Sequence, residues 1–430
     1  MEKHILSKST FIKGYHCPKS LYLYKKRPFL RDKLTAEQRA KFKRGHHVGD
    51  LAQEIFPGGI DVSPKSPSQY QKSVLRTSEL IEQGQEIIYE ATFQHEQVLV
   101  MLDLLVKTEK GWMAYEVKSS KHLSETYYTD AALQYWVIQN SGLYIEQFFL
   151  VYVDENYRLE GDIDLKKYFL FEDVTDNVLG RQEFIGEKVV ANKAVLLEKH
   201  SPKVEVGNQC FSPYKCDFVG HCWKKIADKP YVAENISFAG ILGEEKADRI
   251  PISCIYNEQA VTLCQNEKAY SPQFLGFQIG ENEAVVSGKT CEDKKAFILS
   301  YFEQINLEES YVVFEESKLR LWIEEVKILV PEIKEKAEAL VNKSIGILDL
   351  MEEKEVFPTE KRSFYTPAWF SKNHSDGTLS KSVIYSDILA NELYGKMKAD
   401  LWGADSPDLE SLKLYLTQLN HLSLELYQML

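Results

Sequence analysis

Asp103, Glu116 and Lys118 stand close together in a stretch of chain that is otherwise apolar. Asp103 interrupts the run VLVMLDLLV, and Glu116 and Lys118 share the next one, WMAYEVKSS. Both runs are short, rich in β-branched or aromatic residues and bounded by polar turn-like residues, so they read as strands. Side chains alternate along a strand, which puts Glu116 and Lys118 on one face and Val117 on the other. A hairpin joining the two runs would bring Asp103 beside them. Two carboxylates converging at a strand edge bind a hard divalent cation such as Mg²⁺ or Mn²⁺ through oxygen. A lysine one rung away can orient an attacking water, lower its pKa or offset charge on a pentavalent phosphorus. The bland reading of an E-x-K pair is a surface ion pair on an exposed strand. Against it stands the cost of placing unpaired charge inside apolar strands.

Four cysteines form a second constellation. Cys17 precedes a proline in YHCPKS, and Cys210, Cys216 and Cys222 follow far downstream, each separated by five residues. Three evenly spaced thiols in a loop can wrap one metal centre, and Cys17 is the only other cysteine in the first 230 residues. Thiolates suit zinc and iron–sulfur clusters. The spacing does not fit the paired CxxC of zinc ribbons, which lowers the zinc option. Cys254, Cys264 and Cys291 read as small buried residues.

These residues need elements to position them. Residues 34–56 and 68–84 read as helices, the first broken by Pro57-Gly58-Gly59 and the second ending at Gly84. EIIYEATF, carrying Glu90, then QVLVMLDLLVKT and WMAYEVKSS read as three strands. A helix over 126–140, carrying Gln134, and a strand in YIEQFFLVYVDENY complete an α/β core. A helix over 184–200 leads to the cysteine loop. A boundary follows near 226–246. Beyond it VTLCQ and FLGFQIG read as strands, 292–305 as a helix, SYVVFE as a strand, and 317–340 and 409–429 as helices. The chain thus divides into a domain over 1–230 and a second α/β domain over 240–430.

The order Glu90, Asp103, Glu116-x-Lys118, Ser119-Ser120, then Gln134 on the following helix resembles the PD-(D/E)xK nuclease superfamily, in particular its RecB and AddB branch. The resemblance implies a restriction-endonuclease-like core. In it Asp103 and Glu116 hold the metal, Lys118 assists water, and Gln134 contacts the site or the DNA. That branch usually carries a histidine ligand four residues beyond a glycine. Here the run is Arg44-Gly45-His46-His47-Val48-Gly49, and Gly49 fills the expected place. His46, one helical turn earlier, is the substitute the resemblance suggests; it reads equally well as part of the basic surface. Cys17-Pro18 with Cys210, Cys216 and Cys222 is similar to the iron–sulfur nucleases: AddB and the CRISPR-associated nucleases that trim new spacers. The resemblance implies a [4Fe–4S] cluster tying the ends of the domain together.

The second half resembles bacterial proteins in which such a nuclease is fused to a DnaQ-like, RNase H-fold exonuclease. Pieces of that pattern are GFQIG at 276–280, Asp349-Leu350 and the run from Asp376 to Lys381. Cys254-Ile255-Tyr256-Asn257 and Leu419-Asn420 stand where such a site needs carboxylates, so this half is expected to be catalytically silent.

The whole chain of 430 residues carries a formal charge of −12, yet residues 1–50 hold 13 Lys+Arg against 4 Asp+Glu. A local cationic, aromatic-bearing stretch can track a nucleic-acid backbone whatever the overall pI. The bland alternative is a solvated helix face. Hydrophobic residues at 44% and charged residues at 27% describe a globular chain, not a disordered one. No apolar run reaches a membrane-spanning length, and no export signal is read at the start, so a cytoplasmic protein is expected. The leading expectation is a metal-dependent DNA exonuclease acting on single-stranded ends, with 5′-to-3′ polarity implied by the resemblance. Helicase, repair or defence-complex proteins are the expected partners. The alternative is a silent DNA-end or protein-binding module of such a complex.

Overall fold

The computed structural model describes residues 4–154, 157, 163–226, 248–256, 274–286, 291–354, 356–357, 365–396 and 406–429. The chain is mixed α/β and divides into two compact units, the first formed by residues 1–34, 42–157 and 164–229, the second by 35–41, 158–163 and 230–430.

The basic N-terminal stretch, read above only as a cationic segment, folds. Strand β1 (Leu6–Ser7) pairs in parallel with the start of β4 (Val98–Lys107). Helix α1 (Lys8–His16) starts immediately after it, where the Ser7 N–H donates to Thr10 Oγ1 at 2.7 Å. Cys17 ends α1 and begins α2 (Pro18–Lys26), with Pro18 at the first helical position, where no N–H is needed. Asn192 locks α1 from the side: its Nδ2 donates to the Phe11 carbonyl at 3.2 Å, and a Cβ on Gly14 would lie 2.3 Å from its Oδ1. Glycine is required there by close approach.

Helices α3 (Ala36–Gln53) and α4 (Tyr70–Glu82) precede the strands, α4 stopping before Gly84, whose φ is +80°. The sheet runs β2-β3-β4-β5-β6-β7, with β2 (Ile60–Asp61), β3 (Ile87–His95), β5 (Trp112–Lys118), β6 (Ile145–Val153) and β7 (Phe169–Asp173). Strands β3, β4 and β5 form an antiparallel meander; α5 (Glu125–Asn140) then crosses over to place β6 parallel to β5. Apolar side chains of β3, β4 and β6 and the buried face of α5 make one core, including Leu102, Leu133 and Phe148.

In the second unit the sheet order is β10-β9-β8-β11-β12: β8 (Ile250–Tyr256), β9 (Phe274–Ile279), β10 (Val285–Val286), β11 (Tyr311–Val313) and β12 (Ser344–Gly346). β8, β9 and β10 are antiparallel neighbours, and β11 and β12 run parallel to β8. The helix expected over 317–340 is two helices, Glu316–Leu329 and Lys334–Asn342. Pro331 stands between them, and its missing N–H and ring clash end the first. The expected strand VTLCQ lies outside the described residues.

Leu102 is fully buried in β4 next to Asp103. Leu102→Ala is expected to cost about 2–5 kcal/mol, read as an earlier urea transition of the first unit without change in the second.

Candidate active site

The three acidic strand residues fall on one rung. The flanking pairs Tyr89–Leu104 and Ala91–Leu102 set Glu90 level with Asp103. The β4–β5 ladder ends at Leu104–Tyr115, so the next rung sets Asp103 beside Glu116. Neither rung is an ordinary ladder pair. Glu90 has φ +54°, a conformation that costs a non-glycine residue about 1–3 kcal/mol. Asp103 replaces a backbone acceptor with its side chain, Oδ2 accepting the Val117 N–H at 2.6 Å. The meander forks here, and the fork is where the carboxylates gather.

Glu116 is 2% exposed, and the cations around it decide its charge. Lys118 Nζ donates to Glu116 Oε1 at 2.6 Å and to Asp130 Oδ2 at 2.6 Å. Lys8 Nζ donates to the same Glu116 Oε1 at 2.7 Å and lies 4.0 Å from Asp130 Oδ2. Burial alone would raise the Glu116 pKa, but Lys118 and Lys8 overcome it and hold the carboxyl at about 2. Burial dominates at its neighbours. Glu90 is pushed up to about 7, with Lys8 opposing and Glu116 reinforcing the shift. Asp103 is raised well above the ordinary range by burial and then by Glu116. Burial pulls both lysines down, but the surrounding carboxylates win, and both remain ammonium groups.

Among the described residues, Glu116 Oε2, Asp130 Oδ1 and both amide atoms of Gln134 find no hydrogen-bond partner. A buried polar atom left unsatisfied costs about 1–3 kcal/mol. Glu116 thus spends Oε1 on two ammonium groups and leaves Oε2 unmatched. An unmatched carboxylate oxygen is a ligand type that a hard cation takes, though among the described residues no three such side chains stand as close as a bound metal would hold them. Gln134 is wholly buried one helical turn beyond Asp130 on α5.

Three of the expected residues, Asp103, Glu116 and Lys118, come together. His46 does not join them. It is exposed on α3, and among the described residues no hydrogen bond or ion pair links it to either carboxylate. Sequence reasoning missed Lys8 and Asp130. Asp130 had a signal, its i, i+4 spacing to Gln134 on one helix face. Lys8 had none, because its position depends on the pairing of β1 with β4.

The four cysteines Cys17, Cys210, Cys216 and Cys222 line one cavity of about 60 Å³, together with Lys13, His16, Tyr214 and Phe218. Among the described residues no three His, Cys, Asp or Glu side chains stand as close as a bound metal would hold them. The thiols nevertheless act on one another. Burial pushes the Cys17 thiol up, backbone N–H groups of Ser20 and Lys19 pull it down, and Cys216 and Cys210 push it up again. Cys222 is raised by burial and by the other three, against Lys19. Both raised shifts favour the neutral thiol at these two cysteines. Asp217, next to Cys216, ties the loop to α1 through Lys13 at 2.6 Å and also pairs with Arg31 at 3.1 Å. Lys8, Lys13 and Arg31 are therefore engaged in ion pairs within the first unit. Lys26, Arg27 and the 74%-exposed Phe29 do face outward.

In the second unit the residues singled out above have structural work. Asp349 Oδ2 accepts the Glu316 N–H at 2.6 Å, and Asp376 Oδ1 accepts the Thr378 N–H at 2.7 Å. Asn420 is buried and donates from Nδ2 to the Gly280 carbonyl at 2.6 Å. Cys254 and Ile255 are buried in β8; Asn257 and Cys264 lie outside the described residues. No helix among the described residues is long and apolar enough to cross a membrane.

No family model matches the chain, and no curated protein is similar to it. A solved structure described as "Crystal structure of SSO0001" aligns at a TM-score of 0.25 and 12% identity, over 53% of this chain and 89% of that one. At that score the likeness carries no argument.

The shifts set the sign of a pH dependence. Glu90 and Asp103 have folded pKa values above their unfolded ones, so the folded chain holds more protons than the unfolded chain above the ordinary carboxylate range, for Glu90 up to pH about 7. The contribution of Glu90 is present at acid pH and lost as the pH rises through about 7, and that of Asp103 is lost in the same direction. Glu116 acts oppositely, its contribution being lost only as the pH falls toward about 2. The metal-free chain is expected to lose thermal stability between pH about 4.5 and about 7, and added Mn²⁺ to restore it. Scanning calorimetry with and without Mn²⁺ checks both.

Proposed function

We propose that the chain is a divalent-metal-dependent deoxyribonuclease of the PD-(D/E)xK type, an exonuclease acting on single-stranded DNA ends. The observation that carries this is the forked rung, with Asp103 beside Glu116, Lys118 on Glu116 and an unmatched oxygen on Glu116. The helix–three-strand–helix–strand order from α4 to β6 supports a restriction-endonuclease-like core.

Asp103 and Glu116 would hold Mg²⁺ or Mn²⁺. The cation, when bound, supplies an activated water and a charge against the phosphorane. Lys118 stays an ammonium, so it cannot take the water's proton; it donates toward developing negative charge on the phosphate oxygens. Asp130 holds Lys118 in place. Lys26, Arg27 and exposed Phe29 offer the strand phosphate contacts and a stacking face.

Cys17, Cys210, Cys216 and Cys222 would bind a [4Fe–4S] cluster with a structural role, closing the unit between its first helices and its last loop. The second unit we infer to be an RNase H-like domain without catalytic function. Its strand order, three antiparallel strands followed by two parallel to the first, supports the fold. Asn420 and the local roles of Asp349 and Asp376 support the silence. The rival reading, a silent DNA-end-binding module, is favoured by the lack of a histidine at the carboxylates.

Two outcomes decide. Glu116→Gln and Asp103→Asn are expected to lower Mn²⁺-dependent degradation of end-labelled single strands at least about 100-fold, with folding kept. Wild-type activity in Glu116→Gln would sink the nuclease reading. Protein purified without oxygen should carry about four irons and absorb as a brown chromophore. Colourless protein with stoichiometric zinc would remove the cluster. Any one of the four cysteines changed to serine should bleach the chromophore and lower the melting temperature of the first unit.

A further inference from the structure

We propose that Lys8 is the built-in counter-ion of the carboxylate site: it stands in for cation charge when no metal is bound, and it weakens metal binding when metal arrives. The inference rests on the reading of the carboxylate rung as a metal site. Lys118 by itself reaches both Glu116 and Asp130, each at 2.6 Å, so the E-x-K geometry is complete without Lys8. Lys8 comes from another element, α1, and adds a second ammonium at 2.7 Å to an oxygen that already has one. Its side chain is 29% exposed, whereas those of Glu116 and Asp130 are 2% and 8% exposed, so it covers the pair from the solvent side.

Charge counting shows what this second cation does. When ionised, Glu90, Asp103, Glu116 and Asp130 carry four negative charges against the two positive charges of Lys8 and Lys118. One divalent cation makes the cluster neutral. The two carboxylates that the lysines reach, Glu116 and Asp130, are matched one for one by Lys8 and Lys118; without Lys8 one of these negative charges is uncompensated, and an arriving cation meets one less repulsion. Buried carboxylates left without counter-charge destabilise the fold, so Lys8 lets the empty site persist. The same proximity makes it compete with the metal for Glu116. Its geometry is fixed from outside the catalytic strands, by β1 on β4 and by the Ser7–Thr10 contact at the start of α1.

The test uses the full-length protein, Mn²⁺ alone and no DNA. Lys8→Met keeps the stem and removes the charge; Lys8→Arg keeps the charge. Calorimetric titration is expected to show Mn²⁺ bound roughly tenfold tighter by Lys8→Met, and within about twofold of wild type by Lys8→Arg. The metal-free melting temperature of Lys8→Met should fall, and its rise on adding Mn²⁺ should exceed that of wild type. Unchanged or weaker Mn²⁺ affinity in Lys8→Met overturns the proposal. Should Lys8→Met not fold, hydrogen exchange on the wild type decides. Mn²⁺ is expected to speed exchange in the first turn of α1, and unchanged exchange there overturns the proposal. Glu116→Gln serves as the separate control: Mn²⁺ binding that survives it would defeat the metal-site reading itself, whatever Lys8 does.

Discussion

A carboxylate shut away from water keeps its charge only if cations are brought to it, and Glu116 is such a carboxylate. Two lysines meet on one of its oxygens, Lys118 from the same strand and Lys8 from the first helix. Much of the first unit can be traced from that meeting. α1 must begin beside β4, which the two-residue strand Leu6–Ser7 arranges. α5 must pass close enough for Asp130 to take the other side of Lys118. The meander must open at Asp103, whose side chain then takes over a ladder hydrogen bond. Strain at Glu90 belongs to the same fork, at the level where three carboxylates share a rung.

Helix α1 also connects the two constellations. Its first residue is Lys8, and its last turn gives way to Cys17. Lys13, midway, pairs with Asp217 beside Cys216, and Asn192 fixes the helix from a third direction. Helix α1 is thus held by charge at Lys8 and Lys13 and by the close approach of Asn192 at Phe11 and Gly14. Stability of the cysteine loop and placement of Lys8 are therefore parts of one structure.

The second unit shows how residues typical of a site can serve a fold instead. Asp349 and Asp376 each accept a backbone N–H at the start of a helical turn, which short acidic side chains do well. Asn420 holds the carbonyl of Gly280, a glycine whose φ is +55°, where a carboxylate would meet lone pairs with negative charge. An amide donates there; an aspartate could not.

Much of this was legible in the residues themselves. Alternation along the strands put Glu116 and Lys118 on one face, because the strand period is two whatever the surroundings. Apolar runs with one acidic interruption marked β4 and β5, and Gly84 marked the end of α4. The joint α1–α2, by contrast, was hidden in a stretch whose charge masked its helical faces, and Pro331 was passed over inside a long apolar periodicity. Only tertiary structure could bring in Lys8, since nothing local in KSTFIKGYH sets its reach; a parallel pairing across some ninety residues does. Only tertiary structure could turn His46 outward, because a helix position says which turn a side chain occupies and not which neighbour that turn will meet. Residue types and spacing determined what chemistry the first half can carry. Which oxygens remain unmatched for that chemistry was decided by burial and by charges arriving from elements distant in sequence.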